Sequence, residues 1–328
     1  MRLIGFLIFY NTFVLFAQQG PFHPAANQLG TNAIHRDSVI VASWADACTV
    51  VRGPQELGVA GSPLANAGEE WMTAGKADGR VVSLGDGGYA TFALSTPLQD
   101  KPGYDFAVFE NGFYTPIDQG YFLELAFVEV SSNGIDFFRF PAQSLTDTTT
   151  AVGTHGIIDP TMVHNLAGKY VAMFGTPFDL AELDSIAELN IYNITHIRIV
   201  DVVGSLNPDL GTRDAFGRLI NDPFPTDFPQ GGFDLDALAF LDISLSSEKQ
   251  ETQRELRTTN PVANQLTVFS DDVKSLEVFD LHGKQVFSNS NVRSNQVMDV
   301  SHLKNGMYIF HFEMRSGERI VQKIVKHT

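Results

Sequence analysis

The chain has 328 residues, 44% hydrophobic and 18% charged, with a mean hydropathy of −0.02; that supplies a packed core and excludes a coiled coil or a disordered chain. Its 38 Asp/Glu against 22 Lys/Arg leave a net charge of −16, a field that repels phosphate backbones and anionic lipid heads, so nucleic acid and membrane surfaces are excluded as partners. The single cysteine, Cys48, rules out an intrachain disulfide and a Cys-based zinc cluster.

Residues 1–17 hold Arg2, an apolar run from Leu3 to Phe16 broken only by Asn11 and Thr12, and Ala17 before the polar Gln18-Gln19-Gly20. This layout predicts a secretory signal peptide; the apolar run is short of the ~20 residues of a membrane-spanning helix. Short strands follow, at 81–83, 89–94, 105–110, 122–130, 137–140, 196–202 and 233–241, with Ser131-Ser132-Asn133-Gly134 as a hairpin turn, because Asn-Gly tolerates positive φ. The best helical pattern is 178–189, where Leu180, Ile186 and Leu189 make a partial apolar stripe. Many short strands with Gly-rich turns predict an all-β chain, a β-sandwich over 18–245.

Composition breaks after Ile243, and 246–259 reads as a polar linker. Residues 260–328 carry turn signals at His282-Gly283, Asn305-Gly306 and Ser316-Gly317, flanked by alternating strands at 276–280, 307–312 and 320–325, which predicts a second, small sandwich. Charge divides the same way: 246–328 has 11 Lys/Arg and 10 Asp/Glu, whereas 1–245 has 11 and 28. Any cation chemistry therefore belongs to the first part.

The tail opens on Asn260-Pro261 and continues through SLEVFDLHGKQVF, MDVSHLKNGMYIFHF and QKIVK. It resembles the type A sorting domain of the type IX secretion system of Bacteroidetes, an Ig-like module. The resemblance implies export to the cell surface or medium, with the secretion machinery as partner. The stretches SLGDGGYATFAL, DFAVFENGF, AFVEVSSNGIDF, NLAGKY, GTPFDL and GGFDLDAL resemble a family of bacterial cell-surface proteins. The segment VEVSSNGIDFFRF is also similar to paired strands of galactose-binding or discoidin-like jelly rolls, which implies a jelly-roll-like sandwich and a carbohydrate-binding role.

Acidic residues offer metal ligands. Asp201, Asp209, Asp214 and Asp222, with Asn207 among them, fall close together in sequence, and Asp234 and Asp236 open the last strand of the first part. Calcium takes six to eight such oxygens, so a structural Ca2+ site is one reading and solvated loops the other. Asp234 and Asp236 share a strand face by period two and repel unless a cation or donors separate them. Glu110, beside Asn111 at a strand mouth, suits a turn-stabilising or metal-binding role better than catalysis. Glu124 and Glu129 are five apart, so they face opposite sides and argue against a glycosidase pair. His155, His164 and His196 lack ligand spacing. Cys48 reads as a small buried hydrophobe rather than a nucleophile.

Phe113, Tyr114 and Tyr121 flank one loop, and Phe224 and Phe228 lie in another with Pro and Gly. Such rings form a rigid binding rim or plug the ends of the sandwich. The sequence as a whole predicts a non-catalytic secreted or surface-attached protein that captures carbohydrate or another nutrient. The alternatives are capture of a corrinoid for an outer-membrane transporter, and a glycan hydrolase or lyase with Glu110, Asp234 or Asp236 as acids.

Overall fold

The computed structural model describes residues 20–245, 257–258, 261–269, 273–281, 283–293, 296–315 and 319–327. The signal peptide expected at 1–17 and most of the linker expected at 246–259 lie outside these residues. The chain forms two compact units, Met1–Ile243 and Ser244–Thr328.

The first unit is built from β1 (Ile34–His35), β2 (Val41–Trp44), β3 (Thr49–Val51), β4 (Val82–Ser83), β5 (Tyr89–Leu98), β6 (Phe106–Glu110), β7 (Phe113–Thr115) and β8 (Gly120–Phe122). The chain continues through β9 (Ala126–Ser131), β10 (Phe138–Arg139), β11 (Gln143–Ser144), β12 (Val163–His164), β13 (Phe174–Phe178), β14 (Ile194–Asp201) and β15 (Asp234–Leu241). One antiparallel sheet has the order β1-β13-β6-β15-β2, with β4 on β15; the other runs β10-β9-β14-β5-β3. The all-β class is as expected.

Period-two alternation decides what each strand buries. Phe106 and Val108 of β6, Ala126, Val128 and Val130 of β9, and Ile197 and Ile199 of β14 enter one core cluster between the two sheets. The intervening Ala107 and Phe109 pack on the other face of the first sheet with Ala237, Ala239 and the half-buried Trp44. Phe127, Leu123 and Leu125 instead join a second cluster with Ile158, Leu166 and Ile220.

Two strand expectations change. The stretch 122–130 is not one strand: β8 ends at Phe122 and β9 begins at Ala126, leaving Leu123–Leu125 as a buried connection. In β15 the pairing with β6 slips between Leu235 and Ala237. That bulge lets Leu235 and Leu238, three apart, both reach the inter-sheet core.

The helix expected at 178–189 is not formed. Phe178 is taken by β13, where it pairs with Phe106, and only a 3-10 turn, Leu180–Leu183, follows. The reason is the period of the apolar residues. Leu180, Leu183, Ile186 and Leu189 recur every three positions and all pack on the core, which suits 3.0 residues per turn and not 3.6. The backbone bonds agree: Glu182 donates to Asp179, Asp184 to Ala181, Ile186 to Leu183 and Leu189 to Ile186. Asp179 caps the series, accepting from the Ala181 N–H.

The hairpin after Ser131 forms with a wider loop than a two-residue turn, since Val130 pairs with Phe138. Asn133 Oδ1 accepts from Ile135 and Asp136, Ser131 Oγ accepts from Gly134, and Gly134 takes φ +75°.

The second unit contains β16 (Arg257–Thr258), β17 (Gln265–Phe269), β18 (Val273–Phe279), β19 (Gln285–Asn289), β20 (Gln296–Asp299), β21 (Gly306–Met314) and β22 (Arg319–Lys326). Arg257 and Thr258, expected in the linker, pair with Phe269 and Val268. Sheets β16-β17-β20 and β19-β18-β21-β22 enclose Leu266, Leu276, Val278, Phe310, Phe312 and Ile324. The turn positions His282, Ser316 and Gly317 lie outside the described residues.

Candidate functional site

The hydrophobic layer between the two sheets of the first unit ends in acid. Along β6 the inward positions read Phe106, Val108, Glu110; along β14 they read Ile197, Ile199, Asp201. Extending the inward set of β9 backward by two gives Glu124. Asp201 pairs with Ala126, and Glu110 pairs with Leu235, one residue from Asp234. Antiparallel pairing thus brings these groups to one end of the sandwich. Asp201 joins the sheets there, accepting from Phe233 N at 2.7 Å and Gly87 N at 2.8 Å. Asp222 enters from the loop after Ile220 and accepts from Leu125 N at 3.4 Å. Glu110, Glu124, Asp201, Asp222 and Asp234 are all buried.

The acids are unevenly satisfied. Asp234 accepts from Ser83 Oγ and from Asn111 Nδ2 at 3.1 Å. Glu110 Oε2 accepts from Gly112 N at 2.7 Å, but Glu110 Oε1 and Asp222 Oδ1 are buried with no hydrogen-bond donor. Burial pushes the Glu110, Glu124, Asp201 and Asp222 carboxyls well above the usual range, and their mutual repulsion adds to it. Asp234 is pushed up to about 6 by burial, held back by its Ser83 and Asn111 donors. Asp86, also raised to about 6 by burial, borders the group, accepting from Leu57 N and Thr226 Oγ1.

Three of the seven expected metal ligands are placed elsewhere or are otherwise engaged. Asp209 is an exposed turn residue. Asp214 anchors a turn: it accepts from the N–H groups of Ser144, Phe216 and Arg218, and its salt bridge to Arg218 is 3.0 Å. Burial raises its carboxyl, and these donors outweigh that and leave it lowered. Asp236 is the bulge residue, and Asp78 N and Gly79 N donate to it at 3.1 and 3.0 Å, so donors and not a shared face separate it from Asp234.

Sequence reasoning passed over Glu124. Its signal was the pattern itself, an acid in phase with Ala126, Val128 and Val130. Its partner in the glycosidase argument, Glu129, faces outward and bonds Arg139 at 2.7 Å. Cys48 is buried beside Thr73, and burial pushes its thiol up to about 11.

Over this acidic end lies the hairpin β7–β8. Gly112 makes the close approach: a Cβ there would stand 2.9 Å from both Glu110 Oε2 and Phe122 O. The hairpin displays Phe113, 55% exposed, and Tyr114, 48% exposed. Phe113 stacks on Phe122 at 5.2 Å and Tyr114 meets Tyr121 edge-on at 5.3 Å. The row continues from Phe122 to His155 at 6.4 Å and from His155 to Phe228 at 6.2 Å. Phe113 and Phe228 are therefore joined across two loops by Phe122 and His155, two rings the sequence did not single out, while Tyr114 and Tyr121, one position along each strand, pair on the opposite face of the hairpin. Phe224 is half-buried, two residues past Asp222.

Two hollows lie elsewhere in this unit. One of about 280 Å³ runs between Trp44, Asp46, Phe92, Ser95 and Phe240. The other, about 440 Å³, lies by Arg52, Glu69, Glu70 and the exposed Trp71, over which the Arg80 guanidinium sits at 5.3 Å. Asp100, Asp105 and Asp179 bring oxygens within 4.8 Å of one another. There Asp105 accepts from Lys101 N and Leu180 N, and Asp179 from Ala181 N.

The fold and site together define an all-β protein of two units, the first closing one end with buried carboxylates under aromatic loops. Residues 260–327 match the family model described as "Secretion system C-terminal sorting domain". That domain marks the protein as secreted or attached at the cell surface, and implies handling by the type IX secretion machinery. No curated protein matches the sequence. Among solved structures the chain is similar to the BSP domain of a biofilm associated protein, at 10% identity and a TM-score of 0.18, over 88% of this chain and 52% of that one. It is also similar to the CBM51-2 and INT domains of Clostridium perfringens ZmpB, at 7% identity and a TM-score of 0.19, over 88% and 81%. The chain spans about half the length of the first of these.

Proposed function

We propose that the protein is a non-catalytic capture protein of the cell exterior whose ligand, a carbohydrate or another nutrient with a flat apolar face, lies on the aromatic rim over the acidic end. The observation that carries this reading is the continuous row Phe113–Phe122–His155–Phe228, with Phe113 exposed at its end. Rings held by one another present contact area at little entropic cost, because their rotamers are fixed before the ligand arrives. An exposed aromatic row costs a secreted protein solubility unless it has an occupant. The resemblance of 128–140 to galactose-binding-like hairpins favours a sugar.

The test is a glycan array beside a corrinoid panel, read with the secreted chain. Glycan binding is expected, weakened at least about tenfold in Phe113→Ala, with the melting temperature unmoved because that side chain is exposed. Corrinoid binding with the same dependence would assign the rim to that nutrient and point to a transporter partner. Turnover of a glycan that Glu110→Gln abolishes would replace capture by catalysis.

A further inference from the structure

The outer face of the second sheet carries an ordered row of polar side chains. Ile197 and Ile199 of β14, Val128 and Val130 of β9, and Ala90 and Phe92 of β5 enter the inter-sheet core, so the residues between them lie on the outer face. Pairing sets Arg139, Glu129, Arg198, Thr91 and Thr49 opposite one another on five successive strands, β10-β9-β14-β5-β3. The second core cluster covers this face at Phe127 and Val200. Beyond them the face is open: Arg139, Thr49 and Ala93 are exposed, and Arg198, Thr91 and His196 are half-buried.

Both guanidinium groups are held in place by rings. Arg139 lies 3.9 Å from the centre of the Phe127 ring and gives Nε and Nη2 to Glu129 Oε1, at 2.9 and 2.7 Å. Arg198 lies 3.5 Å from the centre of Phe137 and 4.9 Å from that of Tyr89. Its one hydrogen bond among the described residues runs from Nε to Thr91 Oγ1 at 3.3 Å, and Glu129 Oε2 stands 3.9 Å from Nη1. Arg139 thus engages Glu129 and leaves the Nη1 and Nη2 edge of Arg198 without a hydrogen-bond acceptor. Two guanidinium groups share one carboxylate, so the row carries one positive charge in a part of the chain that is otherwise strongly acidic.

We propose that this row binds a sugar acid, a hexuronate, whose carboxylate takes the free edge of Arg198 and whose hydroxyls lie along Thr91 and Thr49. The site is separate from the aromatic rim and does not rest on the ligand of that rim.

Shape and charge select the class. A guanidinium meets a planar carboxylate with two parallel bonds, and rings that fix its plane remove part of the ordering cost. One net positive charge suits one negative charge, while the field of the remaining acids turns polyanions away. From Arg198 to Thr49 the row spans two strand spacings, about 10 Å. Thr91 Oγ1 accepts from Arg198 and keeps its own proton for a ligand oxygen. Thr49 Oγ1 donates to Thr91 O at 3.4 Å and keeps its lone pairs for a ligand hydroxyl. A plain carboxylate leaves both hydroxyls unused.

The test is a calorimetric titration of the secreted full chain with D-glucuronate, in excess D-glucose so that any site for neutral sugar is filled. One molecule per chain is expected, with a Kd of about 1 mM or tighter. Arg198→Lys keeps the charge and loses the fork, and should weaken binding at least about tenfold. Glu129→Gln removes the carboxylate that competes for Arg198, and should tighten binding at least about threefold. A row that only joins the strands would leave glucuronate affinity where it was in Glu129→Gln, whatever happens to the melting temperature. No heat in the wild type overturns the proposal, as does binding unaltered in both variants. Affinity for acetate equal to that for glucuronate overturns the assignment to a sugar acid. Should Arg198→Lys fail to fold, Glu129→Gln decides.

Discussion

Glu110 shows how a single residue type at the right phase sets chemistry. Its position repeats the inward phase of Phe106 and Val108, so the strand that builds the core also delivers the acid. The same reasoning was open for Glu124, in phase with Ala126 and Val128, but it requires knowing that β9 starts late and that Leu123–Leu125 stay buried, which depends on packing against Ile158 and Ile220. Gly168 guards that connection: it takes φ +78°, and a Cβ there would stand 1.8 Å from Glu124 O. Gly168→Ala should therefore destabilise the first unit by about 2 kcal/mol or more, read by urea unfolding, with the left-handed backbone and the clash both contributing.

Lys169, next to it, is buried and donates to Val163 O at 2.9 Å. Burial pushes its ammonium down to about 7 from the usual 10.5, with Asp159 partly opposing. Between those two values the unfolded chain holds a proton that the folded chain lacks, so this group's contribution to stability rises with pH from about 7 to about 10 and is flat below 7. Lys169→Met removes the dependence. The stability gained by the variant at pH 7 should shrink as pH is raised to 10, and a constant gap across that range would show that the lysine is not held neutral.

At the scale of elements, strand existence was readable and strand limits were not. Short apolar runs bounded by turn residues located β6, β14 and β15, although β6 and β15 are buried on both faces and show no alternation of apolar with polar residues. The segment after Phe178 defeated the helical reading because a partial stripe of Leu180, Ile186 and Leu189 omits Leu183, the residue that reveals the period of three. That segment is core and not surface: Leu183 is 2% exposed. Leu183→Ala should cost about 2–4 kcal/mol in urea unfolding, the range for a buried leucine, whereas an exposed helix would lose well under 1 kcal/mol. The bulge in β15 was equally hidden. Asp234 and Asp236 share a face only in a regular strand, and the extra residue gives them separate tasks.

For the molecule as a whole, composition separated an acidic first part from a nearly neutral second. The acidity proved to be of two kinds: solvated residues such as Asp209, and buried carboxylates such as Asp201, which sequence proximity could not tell apart. Burial is a tertiary property, fixed by which sheet end a loop closes. The address was the most readable feature, since the tail's repeated hairpin pattern belongs to a recognised sorting domain. Deleting 260–328 should abolish appearance at the surface or in the medium and leave the chain in the periplasm, as followed by fractionation and immunoblotting.

The central claim is that the acid-floored, aromatic end of the first unit is where the protein meets its ligand. Hydrogen–deuterium exchange with and without the strongest binder from the glycan array tests it most directly. The account expects slowed exchange concentrated in 111–125, 152–158 and 222–232, with other segments unchanged. Protection confined instead to the hollow by Trp71 or to the groove by Trp44, with the hairpin β7–β8 unaffected, would contradict it.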